Sequence, residues 1–344
     1  MTSSCLQSSS PVNAQEVSLA APLDWSMRIL AGEISPVVAG RMSRAVAEIL
    51  QWTVDSAWPE VAWSFSRLTS DGFPFEFSLS SLDGAVRYTA EVAGAEVAEN
   101  DRLPRTLELI KRRGGGVPTP YIRTLLQQVQ ATGRLSYGAW IGGRHDSFGD
   151  RFKVYVEVPR SGMIEGQRLV KDMIGNQPLL NRRDPEFRLI GYEPISQRIE
   201  FYFQIDRLET WELERLMCRF DVVHRQTDLL DLLEESYGRS ARSSIPDENL
   251  GFSCSISLAG GPTTFSLFTY ARSVFGGDAK IRRRLLDLAK QRPWDLGTYE
   301  RLTAPLANQT GWNTSHGLLA FVVPPEGPLF VQIGLRPCEA SART

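Results

Sequence analysis

The chain has 344 residues, of which 42% are hydrophobic and 23% charged, with a formal net charge of −2. This composition can bury a large core and excludes a disordered or fibrous chain. The lack of a basic excess also argues against a protein that holds nucleic acid by counterion release.

Residues 1–22 are rich in Ser, Ala and Gln and lack the basic start and apolar run of a signal peptide, so they read as an unstructured leader. Residues 23–337 read as one domain and 338–344 as a tail. No stretch is long and apolar enough to span a membrane, and the expected location is the cytoplasm, as a soluble monomer. From Trp25 to Trp63 apolar positions recur at helical spacing. A hairpin follows, Pro74–Ser80 and Ala85–Ala93, turning at Leu82-Asp83-Gly84. In its first strand Phe75, Phe77 and Leu79 point one way, and Glu76, Ser78 and Ser80 the other. Alternation of this kind marks a sheet with one buried and one polar face.

Helical patterns at Leu103–Arg112 and Tyr121–Ala131 come next, and then the cycle repeats. Further hairpins are expected at Leu135–Ile141 with Arg151–Val158, Phe187–Tyr192 with Gln197–Ile205, Phe252–Leu258 with Thr264–Arg272, and Leu318–Val323 with Leu329–Leu335. Between them lie helical patterns at Glu165–Met173, Trp211–Phe220, Thr227–Tyr237 and Lys280–Gln291. The unit of two strands and one or two helices recurs about five times, an internal repeat. Tight turns make the strands antiparallel and exclude a strand-helix-strand parallel barrel. Ten such strands under helices avoid exposed edges by closing. The fold class is therefore α+β, a ten-stranded antiparallel β-barrel ringed by α-helices, with polar faces lining the lumen.

The second strand of each hairpin carries a basic residue on its polar face or directly precedes one: Arg87, Lys153, Arg198, Arg272 and Arg336. Converging on one lumen, these cations suit a small polyanion such as a diphosphate, held by charge-assisted hydrogen bonds. Glu76 is the only charged residue on its strand and the best candidate for a general base. The alternative for Glu76 is an ion pair with Lys153 or Arg87.

Two stretches, Phe73-Pro74-Phe75-Glu76-Phe77-Ser78 with Val86-Arg87-Tyr88, and Phe152-Lys153-Val154-Tyr155-Val156-Glu157, resemble the dimethylallyltryptophan synthase branch of the ABBA prenyltransferases. The resemblance covers Phe73 to Arg336. In the third hairpin Arg198-Ile199-Glu200-Phe201-Tyr202 keeps that branch's arginine and tyrosine but has Glu200 where a second lysine is usual. Leu189-Ile190-Gly191-Tyr192-Glu193, with the acid at 200, is more similar to the cyanobactin peptide prenyltransferases. Phe330 and Gln332 stand where tyrosines usually shield the allyl cation.

The resemblance implies transfer of a dimethylallyl or geranyl group from its diphosphate to an aromatic acceptor, either a peptide side chain or free tryptophan or a related indole. Glu200 tips the choice toward a peptide. Glu76 would be catalytic, Arg87, Lys153, Arg198 and Arg272 would bind the diphosphate, and Tyr155, Tyr202 and Tyr270 would shield the allyl cation. Glu200, Trp140, Phe330 and Gln332 are candidates for acceptor binding. No cofactor and no magnesium are expected, because there is no DDxxD motif. Asp228, Asp231 and Glu234, with leucines between, read instead as the solvated face of a helix. A catalytically silent barrel that binds a hydrophobic ligand or partner is the rival of another class.

Other signals exclude more than they suggest. Cys5, Cys218, Cys254 and Cys338 form no CxxC pair, so neither zinc nor a disulfide framework is expected. Gly114-Gly115-Gly116 lacks the lysine of a phosphate loop, and Arg282-Arg283-Arg284 reads as a solvated helix face. His145, His224 and His316 lack ligand spacing and read as loop or helix-surface residues. No GxSxG context supports a hydrolase.

Overall fold

The computed structural model describes residues 19–56, 58–160, 163–175, 178–180 and 183–338. Ten strands form the centre: β1 (Phe75–Ser80), β2 (Val86–Ala90), β3 (Ala139–Asp146), β4 (Gly149–Glu157), β5 (Glu186–Glu193), β6 (Arg198–Ile205), β7 (Leu250–Ser257), β8 (Thr264–Tyr270), β9 (His316–Val323) and β10 (Phe330–Leu335). Each pairs antiparallel with the next, and β10 pairs with β1, so the barrel is closed. All five hairpin turns consequently lie at one end of the barrel, and all the helical connections at the other.

Among the described residues four helices precede the barrel, α1 (Ala21–Glu33), α2 (Pro36–Ile49), α3 (Gln51–Asp55) and α4 (Pro59–Ala62). The connections carry α5 (Glu99–Arg112), α6 (Pro120–Ala131), α7 (Met163–Ile174), α8 (Thr210–Arg219), α9 (Gln226–Tyr237), α10 (Ala271–Phe275), α11 (Asp278–Lys290) and α12 (Gly297–Leu302). Their starts follow from local chemistry. Ser35 and Thr119 accept hydrogen bonds from the amides of Val38 and Ile122, each with a proline as the next residue, and Glu209 and Glu212 form a capping box on α8. No helix among the described residues is long and apolar enough to cross a membrane.

The apolar strand faces point outward, beneath the helices. Phe75, Phe77, Phe152, Phe201, Phe252, Phe265 and Phe321 are almost wholly buried there. Removing seven such rings from water is a large share of the core's stabilisation, at roughly 1.5–3 kcal/mol each.

Several expectations need correction. Helix α1 begins at Ala21, within the stretch expected to be a leader, with Pro22 in its first turn; residues 1–18 lie outside the described residues, as do 339–344 of the expected tail. The first strand of the second hairpin is displaced toward the C-terminus: Leu135–Gly138 are not strand, and β3 runs on through Gly142 and Gly143 to Asp146. Aromatic rings lie over those glycines and leave no room for a side chain on them. A Cβ would stand 2.8 Å from the Tyr155 ring at Gly142 and 2.3 Å from the Tyr88 ring at Gly143. Arg272 belongs to α10, beyond the end of β8. His145 and His316 are buried strand residues, not surface ones. Each is held between an aspartate and a tyrosine, His145 by Asp150 and Tyr88, His316 by Asp278 and Tyr299.

Candidate active site

A cavity of about 570 Å³ opens at the helical end of the barrel. Its depth is lined by inward residues from most of the strands, including Glu76, Ser78, Thr89, Trp140, Tyr155, Glu200, Tyr202, Ser253, Ser266, Phe268 and Gln332. The inward polar face expected from strand alternation is thus present. At the mouth stand Arg67 and Asp71 from the loop before β1, Arg188, Asn249, Tyr270, Arg272 and Arg336.

Glu76 has no hydrogen-bond or ion-pair partner among the described residues. Burial alone pushes its carboxyl up to about 8. It leans on Gly317 and Gly334, whose missing side chains leave it room: a Cβ would lie 2.1 Å and 2.5 Å from Oε1 respectively. The alternative of an ion pair with Lys153 or Arg87 is not what the structure holds.

The cations do not meet at one level. Arg87 is the second residue of β2 and Arg198 the first of β6, so both sit beside hairpin turns; Lys153 lies midway along β4, and Arg272 and Arg336 lie past strand ends at the mouth. Arg87 donates to both oxygens of Asp83, at 2.6 and 2.7 Å. Asp83 also meets Arg144, while Asp146 is shared between Arg144 and Arg151, so ion pairs fill the hairpin end. Burial raises the Asp83 carboxyl, but Arg87 and Arg144 outweigh it and hold it below its ordinary value. Arg198 donates to the hydroxyl and carbonyl of Ser255 at 3.1 and 2.9 Å.

Lys153 pairs with Glu200, Nζ to Oε2 at 2.5 Å, and Ser253 Oγ donates to Glu200 Oε1 at 2.8 Å. Burial disfavours both charges. Their mutual attraction, with the hydrogen bonds, more than offsets it, raising the Lys153 ammonium and lowering the Glu200 carboxyl. With both oxygens engaged, Glu200 is poorly placed to receive an acceptor.

The aromatic candidates separate in the same way. Tyr155 and Tyr202 are edge-on neighbours with centroids 6.1 Å apart, and Phe268 continues the row 6.2 Å from Tyr202. Tyr270 is 45% exposed at the mouth, its ring under the Arg272 guanidinium at 5.4 Å. Trp140 stacks on Tyr137 at 3.9 Å, and its indole N–H donates to Glu91 at 2.9 Å. The buried Glu91 also pairs with Arg102 at 3.0 Å and accepts from Ser66 at 2.6 Å, tying this wall to the mouth loop. Gln332 faces the cavity, whereas Phe330 is buried two residues nearer the hairpin turn and is not part of its wall.

Arg67, Arg188, Ser253, Phe268, Gly317 and Gly334 were not singled out from the sequence. Arg67 lies in a loop with no periodicity to expose it. Arg188 sits where the register shifts between Phe187 and Leu189, an irregularity that strict alternation misses. Among the described residues no three of His, Cys, Asp or Glu gather as a metal site needs.

No family model matches the chain, and no curated protein matches it. Solved structures do. PriB prenyltransferase in its apo form is 16% identical, with a TM-score of 0.75 over 93% of this chain and 98% of its own. A 6-dimethylallyltryptophan synthase from Micromonospora olivasterospora, in complex with DMASPP and Trp, is 17% identical, with a TM-score of 0.72 over 94% of this chain and all of its own. A 5-dimethylallyltryptophan synthase from Streptomyces coelicolor gives 16% and 0.69 over 93% and 97%. The chain therefore has, over nearly its whole length, the ABBA barrel fold of these aromatic prenyltransferases.

Proposed function

We propose that the barrel transfers a dimethylallyl or geranyl group from its diphosphate to an aromatic acceptor, a free indole amino acid of the tryptophan class. The observation that carries this reading is Glu76, a buried carboxyl group without a partner among the described residues, facing a cavity walled by Tyr155, Tyr202, Phe268 and Trp140. The named substrates of fold neighbours, DMASPP and Trp in two dimethylallyltryptophan synthases, support the same chemistry.

The residues divide the work. Ionisation breaks the allylic C–O bond, and the electron pair leaves with the diphosphate, which Lys153 stabilises. The Tyr155 and Tyr202 rings cover the allyl cation and keep water from it. A ring carbon of the acceptor attacks, and the proton displaced from that carbon passes to Glu76. Charge on the leaving group is met by side-chain cations, so the reaction runs without magnesium.

A peptide acceptor loses its main support, because the oxygens of Glu200 are taken by Lys153 and Ser253. A free amino acid is favoured by Arg67 and Arg272 at the mouth, which suit a carboxylate, whereas Arg336 and Arg188 there are paired with Asp71 and Glu186. The test is incubation of the full chain with dimethylallyl or geranyl diphosphate and either L-tryptophan or a tryptophan-containing peptide, read by mass spectrometry. A prenylated tryptophan is expected. Prenylation of the peptide alone would reverse the acceptor assignment, and no adduct with any aromatic acceptor would favour a silent barrel.

A further inference from the structure

Lys153 is already occupied. Its ammonium rests 2.5 Å from Glu200 Oε2, and the Tyr155 and Tyr202 rings flank it at 5.2 and 5.9 Å. Glu200, rather than Lys153, forms part of the cavity wall. An anion descending from the mouth therefore meets a carboxylate before it meets the cation. About a fifth of the Lys153 side chain stays accessible (22%), so the ammonium is guarded and not sealed.

The neighbouring cations offer no easier place. Deeper in the barrel than the mouth arginines, Arg87 is gripped by both oxygens of Asp83 and Arg198 is bonded to Ser255. We propose that Glu200 is a built-in competitor for the donor's diphosphate. On the prenyl-transfer reading, the donor gains Lys153 only by displacing this carboxylate, and residue 200 sets donor affinity.

The surroundings make such an exchange workable. When Glu200 releases Nζ it keeps the hydrogen bond from Ser253, so it is not left as a wholly unpaired buried charge. The exchange also selects by charge. A monoanion replacing one carboxylate at Lys153 gains little, whereas a diphosphate brings several anionic oxygens to the same cation and compensates for the displacement. The acid thus discriminates against monoanions such as chloride or acetate without any contact unique to the prenyl chain.

Titration calorimetry on the full chain tests this, with inorganic diphosphate and dimethylallyl thiolodiphosphate as probes. Glu200→Gln removes the charge but keeps an oxygen that can accept from Lys153. Glu200→Lys, a second variant, reverses the charge. Each is first checked for a cooperative melt. We expect Glu200→Gln to bind both probes about tenfold or more tightly than wild type, and Glu200→Lys tighter still, as removal of a close like charge requires. Wild-type binding with the Gln variant equal or weaker would overturn the proposal and make Glu200 an organiser of Lys153. Absence of binding in all three proteins would overturn the donor reading as well.

Discussion

The carboxylate of Glu76 lies against Gly334, where a Cβ would stand 2.5 Å from Oε1 and 2.9 Å from Oε2. Only a residue without a side chain leaves the acid in this position. Gly334→Ala should fold, because the clash is with the far end of a side chain, but Glu76 must swing away. Displacement of a catalytic group by about 1 Å costs roughly 10²-fold in rate. Turnover should fall by that order while the melting temperature stays near that of wild type. Unchanged turnover would show that the site of Glu76 is not fixed by the glycine.

The pH dependence follows from burial of the same group. With its carboxyl raised to about 8, Glu76 is mostly protonated at neutral pH in the free protein. kcat/KM for the acceptor should rise with pH and level off above about 8. Stability runs the other way. The raised value favours the fold fully below the ordinary carboxyl value of 4.5, and the advantage is lost as pH climbs through about 8. The loss amounts to up to about 5 kcal/mol. Denaturant titrations between pH 4 and 9 should show this slope in wild type and a flatter one in Glu76→Gln.

Turnover in EDTA should match turnover in magnesium, since side-chain cations carry the charge of the leaving group. Loss of turnover on chelation, restored by Mg²⁺, would contradict the metal-free mechanism.

Glu91 is wholly buried and holds Arg102, Trp140 and Ser66 together. Glu91→Ala leaves the Arg102 charge without its carboxylate partner, and removing one member of a buried pair costs about 3–5 kcal/mol. Chemical denaturation should show a loss of that size, with Trp140 fluorescence changed because its N–H partner is gone. A loss below about 1 kcal/mol would mean that Arg102's bonds to the carbonyls of Val97 and Gly94 suffice.

Much of the fold was legible because period-two alternation with a single buried face is a strong signal, and five copies of it require closure. The inward direction of Glu76, Lys153, Tyr155 and Tyr202 was readable from the same parity. Height within the barrel was not. Arg87 and Arg272 occupy equivalent faces in the repeat, yet strand length and the turn to α10 put one at the hairpin end and the other at the mouth. Nor was partnership legible. That Glu200 would neutralise Lys153 depends on how β4, β5 and β6 stagger, with Gly191 between the two side chains giving them room to meet. The glycines around Glu76 carry no motif and gain meaning only once β1, β9 and β10 are closed together.

The base assignment is the centre of the mechanism, and Glu76→Gln tests it most directly under single-turnover conditions with saturating dimethylallyl diphosphate. The amide keeps the shape and hydrogen-bonding capacity of the acid but cannot take a proton. The expected result is unchanged donor affinity with a chemical step slower by roughly 10² to 10⁴. A single-turnover rate within about threefold of wild type would contradict the assignment and leave Glu76 a spectator in the lumen.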